Sequence, residues 1–146
     1  MTLHDILRNK GSKVFTIRPE ATLADVAAAL AEHNIGSLLV CRSDDCEETI
    51  LGIITERDLV RTCARNPSLS LERITVAEVM VRNPITVSGT ESVEDMMGLM
   101  TQRRIRHLPV VEEGRLVGMI SIGDVVKAQH DSLALENHYL KSYIQG

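Results

Sequence analysis

The stretch Leu51-Gly-Ile-Ile-Thr-Glu-Arg-Asp-Leu-Val60 returns later in the chain as Val117-Gly-Met-Ile-Ser-Ile-Gly-Asp-Val-Val126. Each copy is an apolar run of strand length, then a hydroxyl residue, two variable residues, an Asp and a return to apolar residues, the pattern of a strand turning into a helix. Other segments repeat as well. Thr22-Leu-Ala-Asp25 is matched by Ser92-Val-Glu-Asp95, and Ile35-Gly-Ser-Leu-Leu-Val40 by Ile105-Arg-His-Leu-Pro-Val110, both at a displacement of 70 residues (92 − 22 and 105 − 35). Asp124 lies 66 residues beyond Asp58 (124 − 58), because the second copy turns through Glu112-Glu-Gly114 in a tighter loop. A unit of about 50 residues buries too little surface to stand alone, so the two copies are expected to pack together.

Taken in order, Leu3, Ile6 and Leu7 predict a short amphipathic helix ended by Gly11. Val14, Phe15 and Ile17 predict a brief strand before Pro19, and Thr22 opens a helix striped by Leu23, Val26, Ala27, Leu30 and Ala31. A strand over 35–40, a polar loop over 42–48 and a strand over 50–54 follow, leading into a helix that runs to about Ala64. Residues 66–70 read as a linker, Thr75-Val-Ala-Glu78 as a capped helical turn, and Pro84 as the start of a strand reaching Val87. From there the first half repeats. The reading is therefore an α+β fold of two βαββα repeats about a pseudo-twofold, with boundaries at 1–66 (including the N-terminal helix), 71–130 and a helical tail at 131–146. The tail carries Leu133, Leu135, Leu140 and Ile144, for core packing or an oligomer contact.

Composition narrows the function. Aromatic residues make up 2% of the chain, so a ligand pocket must be lined by aliphatic side chains and backbone. A net charge of −4 argues against non-specific binding to nucleic acid or anionic membrane, and Phe15, Tyr139 and Tyr143 do not interleave with the short basic cluster Arg103-Arg-Ile-Arg-His107. No apolar run reaches the roughly 18 residues of a membrane span and no secretory signal begins the chain, so a soluble cytoplasmic protein is expected. Cys41, Cys46 and Cys63 match no zinc spacing and read as core or loop thiols, with a redox-sensing or intermolecular role as the alternative. There is no nucleophile–base pair, Walker loop or metal-ligand cluster, so catalysis and a metal site are not expected.

Thr55-Glu-Arg-Asp58 and Ser121-Ile-Gly-Asp124 each have the form of a capping box, which needs no ligand and contributes about 1 kcal/mol. The same geometry serves a second purpose. A hydroxyl and backbone amides at a helix N-terminus suit an anion, and a carboxylate three residues on accepts both hydrogen bonds of a ribose diol. Gly52 and Gly118, before each turn, read either as strand irregularities or as places where another backbone or a base edge comes close. Arg103 and Arg104 suit a solvated helix end, whereas Arg106 and His107 begin a strand and, with Arg57, read as a phosphate site.

The paired Gly-hydrophobic-hydrophobic-Thr/Ser-x-x-Asp motifs, with Asn83-Pro-Ile-Thr-Val87 and Ile105-Arg-His-Leu-Pro-Val-Val111, resemble a tandem CBS-domain protein, or Bateman module, of the small stand-alone bacterial type, over about residues 1–130. That resemblance implies an adenosyl ligand such as AMP, ADP, ATP or NAD(H), bound in clefts between the repeats, with the Thr/Ser and Asp of one repeat on the ribose. Carried over by position, the main site comprises Thr55, Arg57, Asp58, Met80, Val81, Arg82, Asn83, Pro84, Arg106 and His107. The second comprises Lys13, Val14, Gly36, Ser37, Ser121 and Asp124. Charge-assisted contacts contribute about 1.5 to 3 kcal/mol each, so the cation-rich Asp58 site is expected to bind more tightly. The resemblance also implies a homodimer that controls a regulated partner protein, with no nucleic acid and no membrane. The competing reading is a ligand-independent dimeric scaffold whose Thr-x-x-Asp turns are only caps.

Overall fold

The computed structural model describes residues 1–42 and 50–145. In chain order the elements are α1 (Leu3–Lys10), β1 (Thr16–Ile17), α2 (Leu23–His33), β2 (Ser37–Cys41), β3 (Ile50–Thr55), α3 (Glu56–Arg65), a 3-10 turn (Leu71–Arg73), α4 (Val76–Val79), β4 (Val81–Arg82), α5 (Val93–Arg103), β5 (His107–Glu112), β6 (Arg115–Ser121) and α6 (Ile122–Gln145). They form two compact units. The first is Lys13–Ile85 with Glu113–Leu116; the second is Met1–Ser12, Thr86–Glu112 and Val117–Gly146.

The first unit is built on a four-stranded sheet in the order β1-β2-β3-β4. β1 runs parallel to β2, with Thr16 opposite Leu39, and β2 runs antiparallel to β3, with Ser37 opposite Thr55. Leu38-Leu39-Val40 is buried along its whole length, which is how a strand covered on both faces reads in sequence. α2 starts at a capping box in which the Asp25 amide donates to Thr22 Oγ1 (3.2 Å) and the Thr22 amide donates to Asp25 Oδ2 (3.0 Å). Its Leu23, Val26 and Leu30 pack in one core with Leu38, Val40 and Ile54, and with Val76 and Met80 from the α4 segment.

The second unit repeats the plan with a different helix in the α4 position. Leu3, Ile6 and Leu7 of α1 are buried with Val93, Met96, Met100, Leu108, Val110, Ile120 and Val125. Thr2 bridges Ser92, and the Leu3 amide donates to the Glu91 carbonyl (3.0 Å). In the first unit Thr75 bridges Thr22, and the Leu23 amide donates to the Ile74 carbonyl (2.9 Å). The two cap residues are equivalent, and the residues flanking each exchange backbone bonds with those at the start of the other repeat's helix. The linker expected at 66–70 therefore separates the repeats along the chain, while the units in space exchange α1 and α4.

Three local expectations change. The strand anticipated from Pro84 to Val87 is reduced to a parallel bridge of Val87 to Val110, the counterpart of Ile17 opposite Val40, and an unforeseen short strand, β4 at Val81–Arg82, precedes it against β3. Asn83 adopts a left-handed backbone (φ 50°) and Pro84 has no N–H to lend a ladder, so the chain turns between them. The tail is no separate helix, because α6 runs unbroken for 24 residues from the Ser121 turn. Cys41 is buried and disulfide-bonded and Cys63 is an exposed free thiol; Cys46 and the loop expected at 42–48, beyond Arg42, lie outside the described residues.

Candidate ligand-binding turns

Both strand-to-helix turns close as capping boxes. At the first, the Thr55 amide (2.9 Å) and hydroxyl (3.1 Å) donate to Asp58 Oδ2, and the Asp58 amide donates to Thr55 Oγ1 (3.4 Å). All of these bonds fall on one carboxylate oxygen. Among the described residues Oδ1 of Asp58 accepts no hydrogen bond, and no cation pairs with it. The turn sits against the start of β2, since the Glu56 amide donates to the Gly36 carbonyl (3.1 Å) and Ser37 lies opposite Thr55. Arg57, exposed in the first turn of α3, is the nearest cation in sequence.

At the second turn the Ser121 amide donates to Asp124 Oδ2 (2.9 Å) and the Asp124 amide to Ser121 Oγ (3.1 Å). A third group joins them. Lys10 Nζ, from the last turn of α1, donates to Asp124 Oδ2 (2.6 Å) and to the Met119 carbonyl (2.9 Å). Burial alone pushes the Asp124 carboxyl up, but the hydrogen bond from Lys10, the Ser121 amide, the Lys10 charge and the Ser121 hydroxyl together outweigh it. The group lies below its ordinary value of 3.8. Asp124 thus already holds a cation where Asp58 does not.

The glycines ahead of the turns are explained by their own unit's packing. A Cβ on Gly52 would lie 2.7 Å from the Val81 carbonyl oxygen and 2.9 Å from Met80 Sδ, and one on Gly118 would lie 2.6 Å from Leu7 Cδ2. Met80 and Leu7 are equivalent residues of the exchanged helices (80 − 75 and 7 − 2). At Gly52 both readings hold, since the β2–β3 register shifts beside it between Val40 and Cys41; at both glycines what approaches is the chain itself.

A family model for the CBS domain matches residues 3–65 and 76–131. The chain belongs to the CBS-domain family. Over 151 aligned residues it is 34% identical to the mitochondrial CBS domain-containing protein CBSX3 of Arabidopsis thaliana, covering 99% of this chain and 72% of that one. A crystal structure of a CBS-domain containing protein from Agrobacterium tumefaciens is 40% identical and aligns with a TM-score of 0.82 over 88% of this chain and 99% of that one. The CBS domain pair of protein MJ0100, 28% identical with a TM-score of 0.73 over 88% of this chain and 98% of that one, was crystallised with 5′-methylthioadenosine and S-adenosyl-L-methionine.

The residues expected from the CBS pattern fall as follows. Thr55, Arg57, Asp58 and Met80 to Pro84 share the first unit, and Lys13, Val14, Gly36 and Ser37 belong to that unit as well. Arg106 and His107 belong to the second unit with Ser121 and Asp124, where the Ile122 amide donates to the Arg106 carbonyl (2.8 Å) as Glu56 does to Gly36. Neither unit by itself brings Asp58 together with Arg106 and His107, or Asp124 with Lys13, Val14, Gly36 and Ser37. Within its own unit, each Thr/Ser-x-x-Asp turn lies beside the start of the strand after the first helix of its CBS repeat. Lys13 Nζ lies 5.0 Å from the centre of the Phe15 ring, which stacks on His33 with ring centres 4.0 Å apart. Sequence reading missed Lys10. Its signal was available in the internal alignment, where Thr2 matches Thr75 and Lys10 therefore falls on Asn83 (75 − 2 and 83 − 10), a cation on one copy and an amide on the other. Among the described residues no group of three or more His, Cys, Asp or Glu is placed to hold a metal, and no helix is long and apolar enough to cross a membrane.

Proposed function

We propose that this chain is a ligand-sensing regulatory module whose principal adenosyl ligand is held by its ribose at Thr55 and Asp58. The observation that carries this reading is the difference between two matched carboxylates. Each keeps an Oδ1 that accepts nothing among the described residues, but Oδ2 of Asp124 already holds the Lys10 ammonium, whereas among the described residues no cation engages Asp58. A ribose diol needs two acceptor positions on an ionised carboxylate, and Asp58 provides them without displacing a cation. Arg57 and, in the same unit, the exposed Lys13, Arg82 and Asn83 would serve an anionic end, with Val14 and Met80 against the base. The ligand class is AMP, ADP, ATP or NAD(H), with S-adenosylmethionine added because MJ0100 was crystallised with it. The chain would work in the cytoplasm as a homodimer, changing its packing on binding and so controlling a partner protein.

Thermal unfolding of the purified protein with AMP, ATP, NADH and S-adenosylmethionine tests this reading. A true ligand at 100 times its dissociation constant stabilises by about 2.7 kcal/mol and raises the melting temperature. A second reading, a ligand-independent scaffold, draws on the fact that both turns satisfy their own helix ends. It is the one left standing if none of the four compounds shifts the melt.

A further inference from the structure

The last helix carries a repeat of another kind. Val126, Leu133 and Leu140 stand seven residues apart, and four residues after each come His130, Asn137 and Ile144. The four apolar members are 52%, 50%, 53% and 81% exposed in that order (Val126, Leu133, Leu140, Ile144), and His130 and Asn137 are exposed too. Alternating steps of four and three residues are the seam of a two-stranded coiled coil. In heptad terms Val126, Leu133 and Leu140 are at d, and His130, Asn137 and Ile144 at a. Gln129, Glu136 and Tyr143 are then at g, and Lys127, Ala134 and Lys141 at e.

The flanking charges choose the partner and its direction. In a parallel pair each g residue faces the e residue five positions further along the other strand, so Glu136 meets Lys141 of a second copy, twice by symmetry. An antiparallel pair sets e beside e and g beside g, which puts lysines against lysines and leaves Glu136 without a cation. Asn137 at an a position finds its complement in the same residue of a parallel copy, where the two amides bond across the seam and fix register and strand number. We propose that α6 pairs in parallel with α6 of a second copy through Val126, His130, Leu133, Asn137, Leu140 and Ile144. This names the surface of the dimer proposed above and rests on the dimeric reading, not on the ligand. Leu135 and Tyr139 lie off the seam.

Sedimentation velocity of the full chain across a dilution series reads the equilibrium directly. Leu133→Asp buries a charge in the seam and is expected to weaken the dimer by about tenfold or more. Glu136→Lys weakens it by a few-fold, and adding Lys141→Glu restores it, the size of a surface ion pair. In a Cys63→Ser background, Asn137→Cys is expected to form an intermolecular disulfide on mild oxidation, because only the parallel register sets residue 137 against itself. A wild-type dimer that Leu133→Asp leaves as tight as before, no rescue by the charge exchange, or no cross-link at residue 137 overturns the seam while the dimer stands. A wild-type chain that is monomeric at every concentration overturns both.

Discussion

Asp58 and Asp124 occupy the same turn and share the reciprocal amide bonds of a capping box, and the Lys10 ammonium marks out the second. Lys10 comes from α1, so the distinction between the two turns depends on a residue more than a hundred positions away from the one it modifies. Replacing Lys10 by Met is expected to cost the second unit about 1 kcal/mol or less, since the pair is partly solvated and screened. The pH dependence has a definite sign. The folded Asp124 carboxyl lies below its ordinary 3.8, so the stabilisation is complete above 3.8 and is lost as the pH falls through the lowered folded value. Urea unfolding of wild type and Lys10→Met should therefore show a constant difference above pH 3.8 that shrinks below it. Asp5 and Glu78, each held below its ordinary value chiefly by a backbone hydrogen bond within its own cap, are present in both proteins, which is why the difference is the informative quantity. A gap that persists unchanged into strong acid would rule out the ion pair as its source.

At the scale of elements, the exchange of α1 and α4 organises both units. Deleting residues 1–10 removes Leu3, Ile6 and Leu7 from the second core, each contributing about 1.5 to 3 kcal/mol. Hydrogen exchange should then rise across α5 and β5 while α2 and β2 keep their protection; loss confined to the first unit would contradict the exchange. The two glycines give a finer comparison. Gly52→Ala drives a Cβ into the β4 backbone and is expected to cost about 1 to 3 kcal/mol, more than Gly118→Ala, where Leu7 can rotate aside. Equal costs in chemical denaturation would mean that the backbone contact is softer than its geometry. The helices, their caps and the strand-to-helix turns were legible in sequence because they depend on residues three or four positions apart, as Thr22 with Asp25 and Thr55 with Asp58. The exchange was not, because a capped turn such as Thr75-Val-Ala-Glu78 has the same sequence form whichever repeat it serves. Strand β4 was not foreseen for a related reason: the pairing of Val81 and Arg82 with Ile53 and Gly52 joins residues far apart in the chain, and Asn83 at φ 50° turns the chain away directly after it.

For the whole molecule, connectivity makes each unit depend on both repeats: the first needs α4 from beyond the linker, and the second needs α1 from the start of the chain. A ligand that stabilises one unit thus acts on segments continuous with the other, which is what a sensor requires, provided the ligand prefers one of two states. The candidate site was only partly legible. Thr55 and Asp58 were found as a motif, but Lys10 on Asp124, which distinguishes the two turns within their own units, was not. The measurement that bears most directly on the function is calorimetric titration of AMP, ATP, NADH and S-adenosylmethionine into wild type, Asp58→Ala and Asp124→Ala, each first shown by its melt to be folded. The expected result is one adenosyl ligand that binds wild type and Asp124→Ala alike and whose heat vanishes with Asp58→Ala. Binding that survives Asp58→Ala and disappears with Asp124→Ala would contradict it.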